Sequence, residues 1–462
     1  MISMESIIQI VADLARKILH MAEEGKIKDL DNMAAQVLEE CKNSSIEIIE
    51  VIIEEMDQQI RQDKDERKAL GWTIHEKDRP RELLTELGPI RWKRDYYYDK
   101  KEGHYITPLD GMLGVEANAR IGNTVSANLV SAAADMSYAK SAEAVTGGAV
   151  SRQSVRNQIL RVSVPESQPK QAGKKVKELH IYADEDHVHM QRPGKARGKQ
   201  NQIVPLVTVT EGTEHVGTHR NSTISPVSFV DENFSSRQLW KTVEGYIHTA
   251  YDVDSITKIY IHGDGGNWIR NGLNDFVQVE HVMDGYHFYK ELRAVARKYP
   301  SRNVRIAITN AVIQDDQKRA EAFLRSLEGI DSTPDKSVCE FQTYLFNNWA
   351  SIRNRLIADV PGSCTEGQVS HILSERFSRN PMGWSREALG KLSRIRVYRI
   401  NGGAITARMF QKQTDSESYA DYADRLIDEA VADKLDWSIF EHSRTPFDGN
   451  SGTQRLLRIL CS

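Results

Sequence analysis

The amino-acid sequence predicts an α/β fold preceded by a mainly helical N-terminal region. Over the first 70 residues, apolar side chains recur at steps of three and four, which is typical of amphipathic helices. From residue 177 to 284, short apolar runs rich in β-branched side chains alternate with helical patterns. There, three consecutive strands precede strand-helix-strand units. This is the element order of a ribonuclease H-like fold.

Composition places the chain among ordinary soluble proteins with a sizeable core. It has 462 residues, of which 40% are hydrophobic and 27% charged, enough for two or three domains. The N-terminus lacks a basic signal region, and no apolar run approaches membrane-spanning length, so we expect a cytoplasmic protein without a membrane partner. Its four cysteines have no C-x-x-C spacing, which indicates neither a disulfide framework nor a cysteine zinc site.

Charge is distributed unevenly along the chain. The net charge is −4, but residues 1–70 carry 16 acids against 9 bases and residues 411–450 carry 10 against 4. The remaining residues therefore hold an excess of 9 positive charges, since −4 + 7 + 6 = +9. A basic centre admits a polyanionic partner such as DNA without requiring one.

The N-terminal helical pattern gives way to predicted strands. The helices fit either a helical hairpin or a heptad-like arm for self-association. Residues 84–99, LTELGPIRWKRDYYYD, then alternate aromatic and polar side chains, which predicts a strand or hairpin after the Leu-Gly-Pro turn.

A helix-turn-helix-like pattern follows in residues 137–160. Two short helical patterns are joined at Gly147 and Gly148, and the second carries Arg152 and Arg156 without an acid among them. A glycine turn and a basic second helix are what docking in the major groove needs. Many helical hairpins that bind no DNA share this pattern. The Pro-, Ser- and Lys-rich residues 162–178 then predict a linker.

The first candidate site residue is Asp184, in the strand pattern IYADEDHVHM. A period of two places Asp184 and Asp186 on one face and Glu185 on the other. A buried aspartate is costly unless it is paired or binds a metal. A strand with one solvated face would explain the same acids.

Two further carboxylates stand at element ends. Asp264 follows the strand pattern KIYIHG, at the carboxyl end where α/β sheets expose their sites, although Asp-Gly is also a common turn former. Glu366 stands at a helix start, where Ser363 three residues earlier also matches a capping box.

Together the three carboxylates predict more than each does alone. Ribonuclease H-like phosphoryl transferases place an Asp on the first strand, an Asp after the fourth, and a Glu or Asp on a later helix. Such carboxylates hold two magnesium ions for in-line displacement at a phosphodiester. We therefore predict that Asp184, Asp264 and Glu366 form a catalytic set that binds Mg²⁺ or Mn²⁺.

Four segments of the sequence resemble one known family. They are YADEDHVHMQ, IYIHGDGGNWI, VMDGYHFYKEL and EGQVSHILSERFSRNPMGWS, the last with a distinctive R-x-P-M-G-W pattern at residues 379–384. The sequence is similar to the ISLre-type transposases of bacterial insertion sequences, relatives of the Mutator-like DDE transposases. The resemblance implies a catalytic triad of Asp184, Asp264 and Glu366, with a helical insertion before the Glu.

The resemblance and the sequence patterns together predict partners and a domain plan. The partners are DNA, both element ends and target, and further copies of the chain assembled on it; the location is cytoplasmic, at the nucleoid. The predicted domains are a helical arm at 1–80, a DNA-binding region at 81–165 with the hairpin and the helix-turn-helix-like segment, a ribonuclease H-like catalytic domain at 174–430 with a helical insertion at about 288–360, and a C-terminal tail at 431–462.

Further residues are predicted to contact DNA or to support the site. Residues 374–399 hold seven Lys and Arg against two acids, so a solvated helical face is the alternative to a phosphate-tracking groove. The predicted DNA-binding residues are Arg152, Arg156, Arg376, Arg379 and Trp384. His287 in DGYHFYK, which follows a second Asp-Gly, is predicted to support the active site; a structural role at a helix start is the alternative.

Two other functions remain open from the sequence. One is a DNA-binding protein that descends from a transposase and no longer cuts. The other is a metal-dependent phosphoester hydrolase, in which His187 and His189 join Asp186 or Glu185 as ligands. No phosphate-binding P-loop pattern is present, which agrees with a reaction that needs no nucleotide.

Overall fold

The computed structural model describes residues 4–23, 29–191, 201–217, 220–328, 335–358, 360, 365–380 and 382–411. These residues divide into two compact units. The described residues before Asn123 form the first unit, and Asn123–Phe410 form the second. The predicted tail at 431–462 lies outside the described residues, as does the end of the predicted catalytic domain after 411.

The first unit packs helices against one face of an antiparallel sheet. Its elements are α1 (Met4–Glu23), α2 (Leu30–Gln62), α3 (Lys64–Leu70), β1 (Trp72–Thr85), β2 (Gly88–Asp99), β3 (His104–Ile106) and α4 (Pro108–Met112). The sheet order is β1-β2-β3. Ile53 and Ile60 of α2 share a buried cluster with Trp72, Trp92 and Tyr97 of the sheet. Burial of these large side chains holds the unit together.

The helical part of the N-terminus ends earlier than the predicted arm. Gly71 takes a left-handed conformation, φ +84°, and closes α3. β1 begins at Trp72, so residues 72–80 of the predicted arm are strand. The hairpin turn joins Thr85 to Gly88, which places the Gly-Pro pair inside β2 rather than in a turn before it.

The second unit begins with three helices. They are α5 (Asn123–Ala133), α6 (Tyr138–Thr146) and α7 (Arg152–Arg161). Gly147 and Gly148 both have positive φ, +57° and +80°, and form the turn between α6 and α7. Ser137 and Ser151 cap the two helices through their side chains. The predicted helix pair therefore exists, and it belongs to the same compact unit as the sheet described next.

A five-stranded mixed sheet forms the centre of the second unit. The elements in this part are β4 (Glu178–His189), β5 (Asn201–Thr210), β6 (Thr213–Gly217), β7 (Arg220–Thr223), β8 (Val227–Phe229), α8 (Ser236–Ala250), β9 (Lys258–Gly263), α9 (Asn267–Arg270) and β10 (Val279–Met283). The strand order is β10-β9-β4-β5-β8, while β6 and β7 form a separate hairpin. β10, β9 and β4 run parallel, and β5 is antiparallel to both of its neighbours.

One face of this sheet packs on α8. Leu179 and Ile181 of β4 lie with Ile259 of β9 and with Val243 and Ile247 of α8 in one buried cluster. Alternate residues of β4 point to the opposite face. The predicted strands and helix of this region are all present, whereas the β6–β7 hairpin was not predicted.

The remaining described elements are helical. They are α10 (Gly285–Lys298), α11 (Val304–Ile313), α12 (Gln317–Glu328), α13 (Lys336–Asn347), α14 (Trp349–Ile357), α15 (Thr365–Val369), α16 (Glu375–Phe377) and α17 (Arg386–Ile400). α10 to α14 occupy the predicted insertion and share their own buried cluster. No helix in the described part of the chain combines the length and apolarity that membrane crossing requires.

Candidate active site

Each of three parallel strands carries an aspartate, and the three aspartates lie at neighbouring register positions of the sheet. Tyr182 of β4 pairs with His262 of β9, and two residues later along each strand come Asp184 and Asp264. Gly263 pairs with Met283 of β10, so Asp284 stands beside Asp264 at the next position. Adjacent strands lie about 4.8 Å apart. The three carboxylates therefore form a row across neighbouring strands.

The environment of Asp184 shows that this row is electrostatically coupled. Burial raises the pKa of the Asp184 carboxyl to about 6, and the negative charges of Asp264 and Asp284 add to this rise. Two interactions lower the same pKa: a 2.8 Å hydrogen bond from the Glu185 amide to Oδ1, and the charge of His287. The ionised form of Asp184 is therefore disfavoured in the absence of a positive charge, and a bound cation would stabilise it.

The loop after β9 fixes the position of Asp264. Its Oδ1 accepts a 2.8 Å hydrogen bond from the amide of Gly266. Gly265 has φ +86°, and a Cβ there would overlap Oδ1 of Asn348. Asn348 is itself held, since Oδ1 accepts a 2.8 Å bond from Arg270. The helical insertion therefore supports the loop that carries Asp264.

Asp284 is a further carboxylate of the candidate site, and it was not among the residues predicted from the sequence. Its carboxyl is 4% exposed and caps α10, accepting a 2.9 Å bond from the amide of Tyr286. Its own amide donates to the carbonyl of Gly263 at 2.8 Å, which ties the two loops together. The signal was available, because the pattern VEHVMDG ends a strand on Asp-Gly just as YIHGDG does.

His287 lies beside this acidic row. Its Nδ1 is 3.6 Å from Oδ2 of Asp284, an ion-pair distance slightly longer than a hydrogen bond. The Asp284 carboxylate raises the pKa of His287, and Asp264 and Asp184 raise it further. Burial raises the pKa of Asp284, but interactions with His287 and the Tyr286 amide outweigh burial and leave that pKa below its ordinary value.

The helix that carries Glu366 lies beside the same strand. α15 packs against β4, which carries Asp184. A π-helical turn, Ser370–Ser374, then links α15 to α16; such turns are frequent at functional sites. Just beyond, Ser378 donates a 2.9 Å hydrogen bond to Asp186 and anchors this segment to β4. The side chain of Glu366 lies outside the described residues.

The chemistry of the aspartates suits a hard divalent cation. Among the described side chains, no three His, Cys, Asp or Glu already surround one metal position. Mg²⁺ needs fewer protein ligands than that, because it keeps several waters and is often bound through one or two carboxylates. Asp184 and Asp264 would supply these oxygens. Burial, together with the charges of Asp264 and Asp284, raises the pKa of Asp184, and a bound cation would offset the cost of its charge.

The alternative ligands around the two histidines divide between the two faces of β4. Glu185 accepts a 2.7 Å hydrogen bond from the indole of Trp268, and His187 lies 3.6 Å from its other oxygen. Asp186 points to the opposite face of β4, toward Ser378. His187 and His189 are exposed on the Glu185 face. The structure therefore does not bring these histidines and Asp186 to a common point.

Two predicted DNA-binding residues lie in the interior. Arg376 is 3% exposed and Trp384 is 5% exposed. The guanidinium of Arg376 lies 4.8 Å from the centre of the Trp384 ring, and its Nε donates a 3.0 Å bond to the carbonyl of Ala133. Burial lowers the pKa of Arg376 to about 10. Both side chains join α5 and the R-x-P-M-G-W segment to the core, so neither faces solvent.

The other predicted DNA-binding residues are accessible. Arg152 is exposed at the start of α7. Arg156 is partly exposed and lies 3.7 Å from Glu387, while Arg379 is 71% exposed and lies 3.8 Å from Glu375. Such surface ion pairs are weak and can exchange for a phosphate.

A matched pair of substitutions separates the interior arginine from the surface one. We expect Arg376→Ala to lower the free energy of unfolding by about 2–4 kcal/mol, because it empties an aromatic cage and leaves the Ala133 carbonyl without its donor. Arg379→Ala should change stability by about 0.5 kcal/mol or less and weaken DNA binding. Urea denaturation and DNA titration of both variants measure this. Weaker DNA binding by Arg376→Ala at unchanged stability would contradict the structural role.

Comparison with known proteins identifies relatives over most of the chain. A family model described as an uncharacterised protein family, UPF0236, matches residues 22–414. The chain is similar to a UPF0236 protein of Caldanaerobacter subterraneus subsp. tengcongensis, with 33% identity over 410 residues, 87% of this chain and 85% of the relative. A second from the same organism is 33% identical over 407 residues, 87% of this chain and 83% of the relative. The name of the first relative covers many loci of that genome.

Proposed function

We infer that this chain, which belongs to the uncharacterised protein family UPF0236, is a DDE transposase of the ISLre type. It would cleave DNA at the ends of an insertion sequence and join the freed 3′-hydroxyl to target DNA. One observation carries the proposal: Asp184, Asp264 and Asp284 form a row on neighbouring parallel strands, and the helix of Glu366 packs beside the strand of Asp184.

The sheet topology supports a ribonuclease H-like core. Leaving aside the β6–β7 hairpin, the strands in chain order are β4, β5, β8, β9 and β10. The first of them is central, the next two extend the sheet antiparallel on one side, and the last two extend it parallel on the other. Asp184 on the first strand and Asp264 after the fourth then stand where ribonuclease H-like phosphoryl transferases place their aspartates.

The family also supports a mobile element. One relative's name covers many loci of a single genome. An insertion sequence multiplies its own gene in this way, whereas an enzyme of metabolism has no such mechanism. The observation concerns the relative, and it favours the transposase over a hydrolase of small phosphate esters.

The chain's own residues would divide the work at the site. Asp184, Asp264 and Glu366 would hold Mg²⁺ or Mn²⁺. When bound, these ions activate the attacking oxygen and stabilise the leaving one. Asp284 would position His287, and its carboxylate favours the protonated form of the imidazole by raising its pKa. A cation there can contact a phosphate oxygen that would otherwise be repelled.

Accessible arginines of the same unit would bind the DNA backbone. They are Arg152, Arg156 and Arg379. Arg376 and Trp384 are left out of this set because both are buried. Joining two element ends needs two active sites, so the proposal includes assembly of at least two copies of the chain on DNA.

Cleavage by an Asp264→Asn variant tests the proposal. The substrate is a plasmid that carries the gene with its flanking genomic DNA, incubated with protein and Mg²⁺. Wild type should produce breaks with 3′-hydroxyl ends at two fixed positions. Asp264→Asn should lose this activity by about 10³-fold or more, because the charge that holds the cation is gone. It should bind the same DNA as wild type does.

The same assay identifies the rival functions. If wild type binds the plasmid yet cuts no better than Asp264→Asn, the chain is a DNA-binding protein and the enzyme proposal is wrong. If wild type hydrolyses a small ester such as p-nitrophenyl phosphate but neither binds nor cuts DNA, the hydrolase replaces it.

A further inference from the structure

The sheet of the first unit carries a cluster of aromatic side chains on its outer face, three of them exposed and one, Tyr96, half-buried. It consists of Tyr96 and Tyr98 on β2, Tyr105 on β3 and His75 on β1. We call these four residues the tyrosine platform. Tyr105 is 49% exposed and Tyr98 is 36% exposed. Large aromatic side chains usually lie in cores, so a group of them at the surface points to a ligand.

The rings of the platform are ordered against one another. Tyr96 and Tyr105 stack with centres 5.2 Å apart and planes inclined by 11°. Tyr98 meets Tyr105 edge to face at 5.2 Å, as its direct partner across the strands, and His75 lies 4.8 Å from Tyr105. Because these contacts fix the rings before any ligand binds, little side-chain entropy remains to be lost on binding.

Positive charge borders the platform. The guanidinium of Arg79 lies 4.9 Å over the Tyr96 ring, and Lys93 is exposed on the same face of β2. Within the described residues, neither cation has a carboxylate at ion-pair distance. The nearby acids Asp78 and Glu82 are paired instead, with Arg61 at 2.7 Å and Arg91 at 2.6 Å.

One carboxylate also borders the platform. Glu76 is exposed and pairs across the strands with Tyr96. Lys93 also interacts with the charge of Asp78, but Asp78 is bound to Arg61, which lowers its pKa more than Lys93 does. Arg79 and Lys93 therefore still leave the rim positive. The preferred occupant therefore combines flat rings with negative charge.

We propose that the tyrosine platform binds unpaired DNA bases, with Arg79 and Lys93 on the adjoining phosphates. Bases within a duplex are already stacked on their neighbours, so only an unpaired strand offers its faces to protein rings. The inference rests on the proposed function in one respect: cleavage and joining of element ends expose single-stranded DNA, which the platform would hold.

Binding of a single strand by ring variants tests the platform. The probe is fluorescently labelled oligodeoxythymidine, titrated with the full chain in EDTA so that no cleavage occurs and followed by anisotropy. Tyr105→Ala should weaken binding by about 5- to 100-fold, the usual effect of removing one stacking ring. Tyr105→Phe keeps the ring and should bind within about twofold of wild type. Leu38→Ala, at a 57% exposed apolar residue of α2, controls for a surface substitution.

The salt dependence of a second variant tests the rim. Arg79→Gln should reduce the slope of log affinity against log salt by about 0.7, the contribution of one contact with a single-stranded phosphate. This change requires no loss of a ring. It therefore remains informative even if Tyr105→Ala lowers stability.

Several results would overturn the proposal. Equal affinities for Tyr105→Ala and Tyr105→Phe would show that no base stacks there. A duplex of matched sequence could also bind as tightly as the single strand and lose the same affinity in Tyr105→Ala. That result would show that the platform does not select unpaired bases. Dissociation of an oligomer by Tyr105→Ala, without any change in DNA binding, would assign the platform to contacts between copies of the chain. This binding assay contains no metal, so its result does not depend on cleavage. Failure of the platform proposal can therefore be told apart from failure of the proposed transposase activity.

Discussion

Asp184→Asn is expected to stabilise the metal-free protein while abolishing both cleavage and stabilisation by Mn²⁺. The Asp184 carboxyl is partly buried beside Asp264 and Asp284, which raises its pKa to about 6. At neutral pH the group is ionised in a place that disfavours its charge. An amide of the same size carries no charge, so the metal-free variant should gain on the order of 1–3 kcal/mol at about pH 7.

The difference in stability between wild type and Asp184→Asn should depend on pH. A carboxyl with a raised folded-state pKa binds its proton more tightly in the folded than in the unfolded protein. Its contribution is therefore present below about pH 4 and is lost as pH rises through about 6. Wild type should lose stability over this window relative to Asp184→Asn. The two should coincide below it.

Thermal unfolding with and without Mn²⁺ measures both effects. At about 100 times its dissociation constant, the cation should stabilise wild type by about 2.7 kcal/mol and Asp184→Asn far less. Glu185→Gln is the matched control on the neighbouring residue, because Glu185 faces Trp268 on the other side of β4. It should leave the Mn²⁺ effect intact. An equal response to Mn²⁺ in wild type and Asp184→Asn would show that Asp184 is no ligand.

Asp184 and Asp264 could be predicted as site residues because strand patterns carry positional information. A period of two assigns residues to faces, and a strand that stops at Asp-Gly delivers its carboxylate to the edge of the sheet. The same logic applies to Asp284, which follows β10 in the same manner. Asp284 was not predicted because its place in the row depends on which strands are neighbours and on how they are aligned. Both are set by the fold and cannot be read from a local pattern.

Arg376 and Trp384 show where composition misleads. A run of basic residues near a tryptophan is the expected composition of a DNA groove, and the same residues also build an interior cation-aromatic cage. What decides between them is burial: Arg376 lies between Tyr138, Phe377 and Trp384, with a backbone carbonyl as acceptor. Those contacts join segments far apart in sequence. No local pattern encodes them.

The tyrosine platform lay within a segment that the sequence did predict. The alternation in residues 84–99 indicated a strand or hairpin. It did not indicate that Tyr96 and Tyr98 face outward while Tyr97 is fully buried. Arg94 and Asp95 are both buried, so the alternation shifts by one residue between Trp92 and Tyr97. The irregular register between β1 and β2 reflects this shift, which turns Tyr96 and Tyr98 to the outer face of the sheet.

Gly265→Ala is expected to damage the active site through the backbone alone. Gly265 has φ +86°, a conformation that costs any residue with a Cβ about 1–2 kcal/mol. The new methyl group would also overlap Oδ1 of Asn348, whose position is fixed by Arg270 and by a 2.9 Å bond to the carbonyl of Tyr344. Either the loop or the asparagine must move.

The expected result is a loss of about 2–4 kcal/mol in unfolding free energy and of about 100-fold or more in cleavage, since the proposed metal ligand Asp264 would move, and a displacement of about 1 Å can have such effects. Gly245→Ala is the control: Gly245 lies exposed within α8 with open space around it. It should keep full activity and gain up to about 1 kcal/mol from helix propensity.

A double-mutant cycle with Asn348→Ala separates the two causes of damage in Gly265→Ala. Removing the Asn348 side chain relieves the overlap but leaves the backbone strain of the substituted loop unchanged. The double variant should therefore be more stable than the sum of the single effects predicts, with a coupling of about 1 kcal/mol or more. Strict additivity would show that Asn348 does not hold the loop. Wild-type cleavage by Gly265→Ala would show that the loop tolerates movement, and that the position of Asp264 does not limit the reaction.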